Sequence, residues 1–341
     1  MKQLLMIALG CSFFYCGNAQ TETVKDYIKK GEEALSRSQV LPAYQYYKLA
    51  VEKDAANPDA LKGMARTADE LRYVVVARET YKKLLDITPR DTAALGRLVQ
   101  LNFATRQYQE TIDLGRQVEA MGAGSNNNYY IAKSYFELGQ FQSALMYIEK
   151  SWKKDSTQAE LPFLAARSYI ELNDYRKATV AYERALRLAP SNVSWMYEAA
   201  MTYSAIPDEA KAVLWFEKAL AGGLEMTPDV ARSLAESYMG VQSYGKALQL
   251  LNELLEQLPR DLELLYMAGE ADFRSGKTDE AISTFEKMLA IDRNQARAVY
   301  MIGIALIKKG DRSKGEPMCE KAIAMDPSLA SLMHKQNSLR Q

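Results

Sequence analysis

Cysteine and histidine are almost missing from this chain: Cys11, Cys16, Cys319 and the single His334 are all that 341 residues contain. Zinc sites, disulfide frameworks and Cys–His nucleophile pairs need more of these residues. No metal, no cofactor and no catalytic residue is therefore assigned, and an enzyme is disfavoured. Glycine loops that would cradle phosphate are absent as well. Acidic pairs such as Glu32-Glu33 and Asp279-Glu280 fall at helix starts or on exposed faces, where carboxylates favour the helix dipole. Excess charge is missing too: 43 basic side chains meet 43 acidic ones. That balance leaves no field to hold nucleic acid or an anionic membrane.

The first residues differ in kind from the rest. Lys2 precedes an apolar run from Leu4 to Cys16, and Gly17-Asn18-Ala19 supplies small residues at the positions that direct cleavage. Residues 1–19 read as a secretory signal cut after Ala19, and the run is too short to anchor the mature chain across a bilayer. A rival reading takes Ala8-Leu9-Gly10-Cys11 as a lipoprotein box with Cys11 lipidated. Both send the chain out of the cytoplasm, to a periplasmic or outer-membrane-associated place.

What is present in quantity is alanine at a fixed interval. It recurs at Ala43, Ala77, Ala144, Ala178, Ala212, Ala247 and Ala281, with gaps of 34, 67, 34, 34, 35 and 34 residues. The long gap holds a unit in which Thr111 takes the alanine's place. Four residues later comes a large side chain: Tyr47, Tyr81, Ile148, Tyr182, Phe216, Leu251 or Phe285. Nine residues before the marker an aromatic recurs at Tyr135, Tyr169, Tyr203 and Tyr238. Proline closes several units, at Pro89, Pro190, Pro259 and Pro327. Spacings of three and four put these residues on one face of each of two helices. Small residues let neighbouring helices approach, the aromatic fills the gap beside them, and proline stops the second helix. One such unit cannot bury its apolar face alone, so the array is stable only as a stack.

This pattern resembles the tetratricopeptide repeat family over residues 24–329. The resemblance implies an all-α fold, a right-handed superhelical α-solenoid of about nine antiparallel helix pairs, with residues 330–341 as a C-terminal capping segment. Units begin near Val24, Pro58, Thr92, Ser125, Ala159, Val193, Pro228, Leu262 and Ala296. The ninth is degenerate: Gly315 replaces the marker alanine and Pro317 enters the second helix. Two glycine joints, Gly122-Ala123-Gly124-Ser125 and Gly222-Gly223, break the phase, suggesting blocks 24–124, 125–227 and 228–329; the same joints also read as slightly irregular turns. Cys319 falls at the large apolar marker, as a buried inert thiol. Trp195 and Trp215 read as core, and His334 as a surface residue.

In the family the first helix of each unit lines the concave groove. A carboxylate clamp known there needs lysines and asparagines; Lys62 fits its first position, but Arg66 and Arg97 replace the asparagines, so the clamp is not carried over. One groove column runs Glu32, Arg66, Gln100, Lys133, Arg167, Met201, Glu236, Glu270 and Ile304. Units two to five thus bring Lys62, Arg66, Arg97, Lys133 and Arg167 beside Tyr129, Phe163 and Tyr197, while units seven and eight turn acidic. Arginine and aromatic side chains tend to carry interface energy. These eight residues are the candidate site for an extended protein segment with acidic and apolar side chains. On the other reading the cations are merely solvated and the aromatics pack on adjacent helices. The functional expectation is a non-enzymatic protein-interaction scaffold or adaptor of the cell envelope; the alternative is a self-associating component of an envelope assembly or secretion complex.

Overall fold

A computed structural model describes residues 22–122, 127–206 and 208–330. The leader, with Cys11 and Cys16, lies outside the described residues, as do His334, residues 331–341 and the segment 123–126 of the first glycine joint. Among the described residues there are eighteen α-helices and no strand. The first helices of the nine pairs are α1 Val24–Ser36, α3 Pro58–Glu70, α5 Thr92–Ala104, α7 Asn127–Glu137, α9 Glu160–Glu171, α11 Val193–Ser204, α13 Pro228–Gly240, α15 Leu262–Arg274 and α17 Ala296–Lys308. The second helices are α2 Val40–Lys53, α4 Val74–Ile87, α6 Tyr108–Ala120, α8 Phe141–Lys154, α10 Tyr175–Leu188, α12 Glu209–Ala221, α14 Tyr244–Gln257, α16 Thr278–Ile291 and α18 Arg312–Met325. The arrangement is an α-solenoid of helix pairs. A 3-10 turn, Pro327–Leu329, follows α18.

The chain divides into two compact units between Leu138 and Gly139. This boundary coincides with neither glycine joint; it falls in the turn of the fourth pair, so α7 ends the first unit and α8 opens the second. Within each unit, helices pack on their neighbours in the chain.

The periodic positions explain that packing. Every marker alanine is 0% exposed, and Thr111 at the same register is equally buried. Its hydroxyl donates to the Gln107 carbonyl at 2.8 Å, which lets a polar residue fill an apolar slot. The large residue one turn later is buried in each case, with Tyr182, Phe216, Leu251 and Phe285 at 0%. Cys319 takes that place in the ninth pair, 1% exposed, and burial pushes its thiol above the usual range. In that pair a Cβ added at Gly303 would lie 2.8 Å from the Gly315 carbonyl oxygen. Glycine on both sides therefore allows the backbones of α17 and α18 to touch.

Turns inside the pairs share one device. Ser38, Arg72, Arg106, Gly139, Asn173, Gln242, Gly276 and Gly310 all have positive φ, between 58° and 95°. They follow the repeat period, and the remaining register position is Pro207, outside the described residues. The starts of several following pairs are fixed by side-chain caps. Asn57 accepts from Ala60 N, Asp91 from Ala93 and Ala94 N, Asn192 from Trp195 N and Asp261 from Glu263 and Leu264 N. Each satisfies backbone donors that a helix start leaves open.

Candidate partner-binding groove

The candidate residues fall in both units, five in the first and three in the second. In the first unit α3 carries Lys62 and Arg66 on exposed positions, α5 carries Arg97, and α7 carries Tyr129 and Lys133. Most of these cations already have partners. Lys62 Nζ donates to Asp91 Oδ2 at 2.9 Å, so one carboxylate both caps α5 and ties α3 to it. Burial opposes the ionisation of Asp91, but hydrogen bonds from Ala94 N and Lys62 outweigh it and hold the carboxyl below its usual range. Arg97 grips Asp69 through two nitrogens, with Nη2 to Oδ1 at 2.7 Å, and its Nη1 also donates to Gln100. Among the described residues Arg66 reaches only Glu70, at 3.6 Å along its own helix, and both ends are solvated. Such an exposed pair is worth little. Lys133 sits over two rings, 5.4 Å from Phe103 and 5.9 Å from Tyr129. Tyr129 itself meets Tyr130 edge-on at 5.4 Å.

In the second unit the aromatic candidates are half-buried and engaged by neighbouring helices. Phe163 of α9 stacks on Trp195 of α11 at 4.5 Å with an interplanar angle of 12°. Tyr197 of α11 meets Phe216 of α12 edge-on at 6.1 Å. The guanidinium of Arg167 lies 6.0 Å from the Phe163 ring. Each unit thus holds a basic and aromatic row along its first helices, with the rings serving packing and surface together. Further along, Glu270 accepts two bonds from Arg274, at 2.6 and 2.9 Å, so part of the acidic column is internally neutralised.

The counter-ions Asp69 and Asp91 were not among the candidates. A signal for them exists in the sequence. Oppositely charged residues bonded across pairs lie 28 or 29 positions apart in Lys62–Asp91, Arg97–Asp69, Lys82–Glu110, Lys211–Glu183, Lys246–Glu217 and Arg232–Asp261. That interval is five or six short of the repeat and marks residues facing each other across a seam. Among the described residues no group of histidine, cysteine, aspartate and glutamate could hold a metal ion, and no helix is long and apolar enough to cross a membrane.

Comparison with known proteins adds the following. Tetratricopeptide repeat models match residues 163–229, 238–302 and 296–329, and a model of anaphase-promoting complex (cyclosome) subunit 3 matches residues 103–185. Anaphase-promoting complex subunit 7 of Arabidopsis thaliana is 29% identical over 98 residues, which is 29% of this chain and 18% of that protein. The match thus spans less than a fifth of that relative's length. Among solved structures, YrrB, described as a TPR protein with an unusual peptide-binding site, is 26% identical, with a TM-score of 0.44, over 56% of this chain and 97% of its own. The C-terminal part of a TPR repeat-containing protein from Cytophaga hutchinsonii is 17% identical, with a TM-score of 0.46, over 68% of this chain and 95% of its own. The repeat-model matches show similarity to the tetratricopeptide repeat family over residues 163–229 and 238–329.

Proposed function

We propose that this protein is a non-enzymatic interaction scaffold of the cell envelope that holds an extended partner segment along its first helices. One observation carries the reading. Core positions repeat from pair to pair as alanine and aromatic, whereas the column Glu32, Arg66, Gln100, Lys133, Arg167, Met201 changes at every step. A surface kept non-repetitive on a repetitive core is suited to recognising a non-repetitive ligand. The partner carries acidic and apolar side chains, matched to Arg66, Lys133 and Arg167 and to the exposed edges of Tyr129, Phe163 and Tyr197. Lys62 and Arg97 contribute through Asp91 and Asp69, as fixed charge rather than as mobile hooks. Charge reversal of Arg66 together with Arg167 should abolish capture of the partner from envelope fractions; undiminished capture would refute the site.

Export is part of the same proposal. Its support is the leader: Lys2, the apolar run to Cys16 and the small residues before Gln20. Sequencing the N-terminus of the protein from fractionated cells tests it. A start at Gln20 fits the secretory signal, lipid on Cys11 fits the anchored form, and an uncut chain in the cytosol contradicts both.

A further inference from the structure

The second helices carry a feature that the groove does not use. At their sixth position most are polar or end-specific: Gln45, Glu79, Asp113, Gln249, Ser283 and Pro317. Only α8, α10 and α12 place an apolar residue there, and all three are exposed: Met146 at 46%, Val180 at 58% and Leu214 at 46%. One helical turn later the same three helices carry a cation: Lys150, Arg184 and Lys218. Each cation lies over an aromatic ring, Lys150 at 4.5 Å from Tyr147, Arg184 at 5.3 Å from Trp152 and Lys218 at 4.4 Å from Trp215. The result is an apolar row beside a basic row, confined to one side of the second unit. Met146 and Val180 line one cleft, so they are not singly scattered surface residues.

A second observation marks the same place. Two seams between pairs are closed by a tyrosine, a glutamate and a lysine. Between pairs five and six, Tyr203 donates to Glu183 at 2.6 Å and Lys211 joins it at 2.9 Å. Between six and seven, Tyr238 and Lys246 both bond Glu217 at 2.8 Å. Between four and five the same three residue types stand in register as Tyr169, Glu149 and Lys177, but the seam is open. Glu149 turns to Lys153 at 2.8 Å and Lys177 to Asp174 at 2.8 Å. The Tyr169 hydroxyl has no hydrogen-bond partner among the described residues. Here a cleft of about 600 Å³ lies between α8 and α10 over α9, walled by Met146, Trp152, Pro162 and Val180. Arg176 and Arg184 stand at its rim without an acidic partner among the described residues.

We propose that the outward face of α8, α10 and α12 docks an acidic amphipathic segment of a partner protein, one apolar side chain entering the cleft beside Trp152 and Val180. Charge complementarity selects the occupant: Lys177 is paired with Asp174 and Glu149 with Lys153, which leaves Arg176 and Arg184 as the rim cations that carboxylates on the partner would meet. The site is separate from the first-helix groove.

The test uses the full-length protein and a fluorescein-labelled amphipathic peptide with leucines along one side and glutamates along the other. Saturable, salt-sensitive binding is expected, and replacing the glutamates by lysines should weaken it by roughly tenfold or more. Val180→Asp and Arg184→Glu should each weaken it by roughly tenfold, whereas Lys287→Glu, at an exposed position of α16 outside both sites, should leave it unchanged. Both substitutions lie on exposed positions, and circular dichroism verifies the fold. Absence of saturable binding, equal binding of both peptides, or indifference to Val180→Asp would overturn the proposal. So would anionic vesicles that retain the wild type but not Val180→Asp, which would assign the face to lipid. A dimer in sedimentation that Val180→Asp dissociates would assign it to a second copy of this chain.

Discussion

Tyr203 donates its phenolic hydrogen to Glu183 at 2.6 Å, across the seam between the fifth and sixth helix pairs. Tyr203 is buried but for 2% of its surface, and Lys211 completes the cluster from above the ring at 5.1 Å. Burial and the neighbouring carboxylate both push the Tyr203 phenol above its usual range. Tyr203→Phe should cost about 1–2 kcal/mol, because the bond to a charged acceptor is lost while packing is kept. Lys211→Met, on the solvated side, should cost under about 1 kcal/mol. Urea unfolding of the two variants measures the contrast.

Five turn residues sit in a backbone conformation that suits glycine: Ser38, Arg72, Arg106, Asn173 and Gln242, with φ from 58° to 60°. Gly139, Gly276 and Gly310 occupy the same register. Arg72→Gly, Arg106→Gly and Gln242→Gly should each stabilise by about 0.5–1 kcal/mol, since relief of the left-handed strain exceeds the entropy of added freedom. The sites lie in three different turns, so the triple variant should show an additive rise in the unfolding midpoint.

Asp272 stands at the register where the middle repeats carry tyrosine, and its carboxylate has no hydrogen-bond partner among the described residues. Burial raises its pKa, with Lys277 opposing. A carboxyl whose folded pKa is raised destabilises the fold at neutral pH, and that penalty vanishes as pH falls below the unfolded value of about 3.9. Asp272→Ala should therefore gain about 1–2 kcal/mol at pH 7. The gain should shrink as unfolding is repeated towards pH 4.

Capping aspartates have the opposite sign. Hydrogen bonds from Leu264 N, Arg232 and Glu263 N hold Asp261 below its usual range, and those from Asn294 N and Gln295 do so for Asp292. Their contribution is complete above the unfolded pKa of about 3.9 and is lost as pH falls through the lowered folded value. Asp261→Asn should flatten the acid side of the stability profile, read as urea midpoint against pH from 7 to 3.

In the ninth pair, Gly303→Ala would put a Cβ 2.7 Å from Cys319 Sγ and 2.8 Å from a backbone carbonyl that cannot swing away. Loss of about 1–3 kcal/mol is expected. Thermal melting of the variant checks it.

The helix-pair fold was legible because its signal is periodic. Ala178 and Tyr182 repeat in kind wherever the same core slot must be filled, and chain order alone reveals them. The seam contacts were harder to read. Arg97 and Asp69 belong to different repeats, and their spacing is set by how adjacent helices face each other, not by the period. The strained turns at Arg72 and Gln242 were hidden because neither residue type announces a left-handed conformation. The open seam at Tyr169 escaped notice because Tyr169, Glu149 and Lys177 match their closed counterparts in type and differ only in the partners their side chains choose.

Partner capture along the first helices is tested most directly by photo-crosslinking in the native cells. Replacing Tyr129 or Tyr197 with p-benzoylphenylalanine in the full-length chain places the reactive group on the candidate rows, and Gln45 and Lys287 serve as second-helix controls. The account predicts one common adduct from both candidate positions, lost when Arg66 and Arg167 are reversed in charge, and none from the controls. Adducts from the controls alone, or candidate adducts indifferent to the charge reversal, would contradict it.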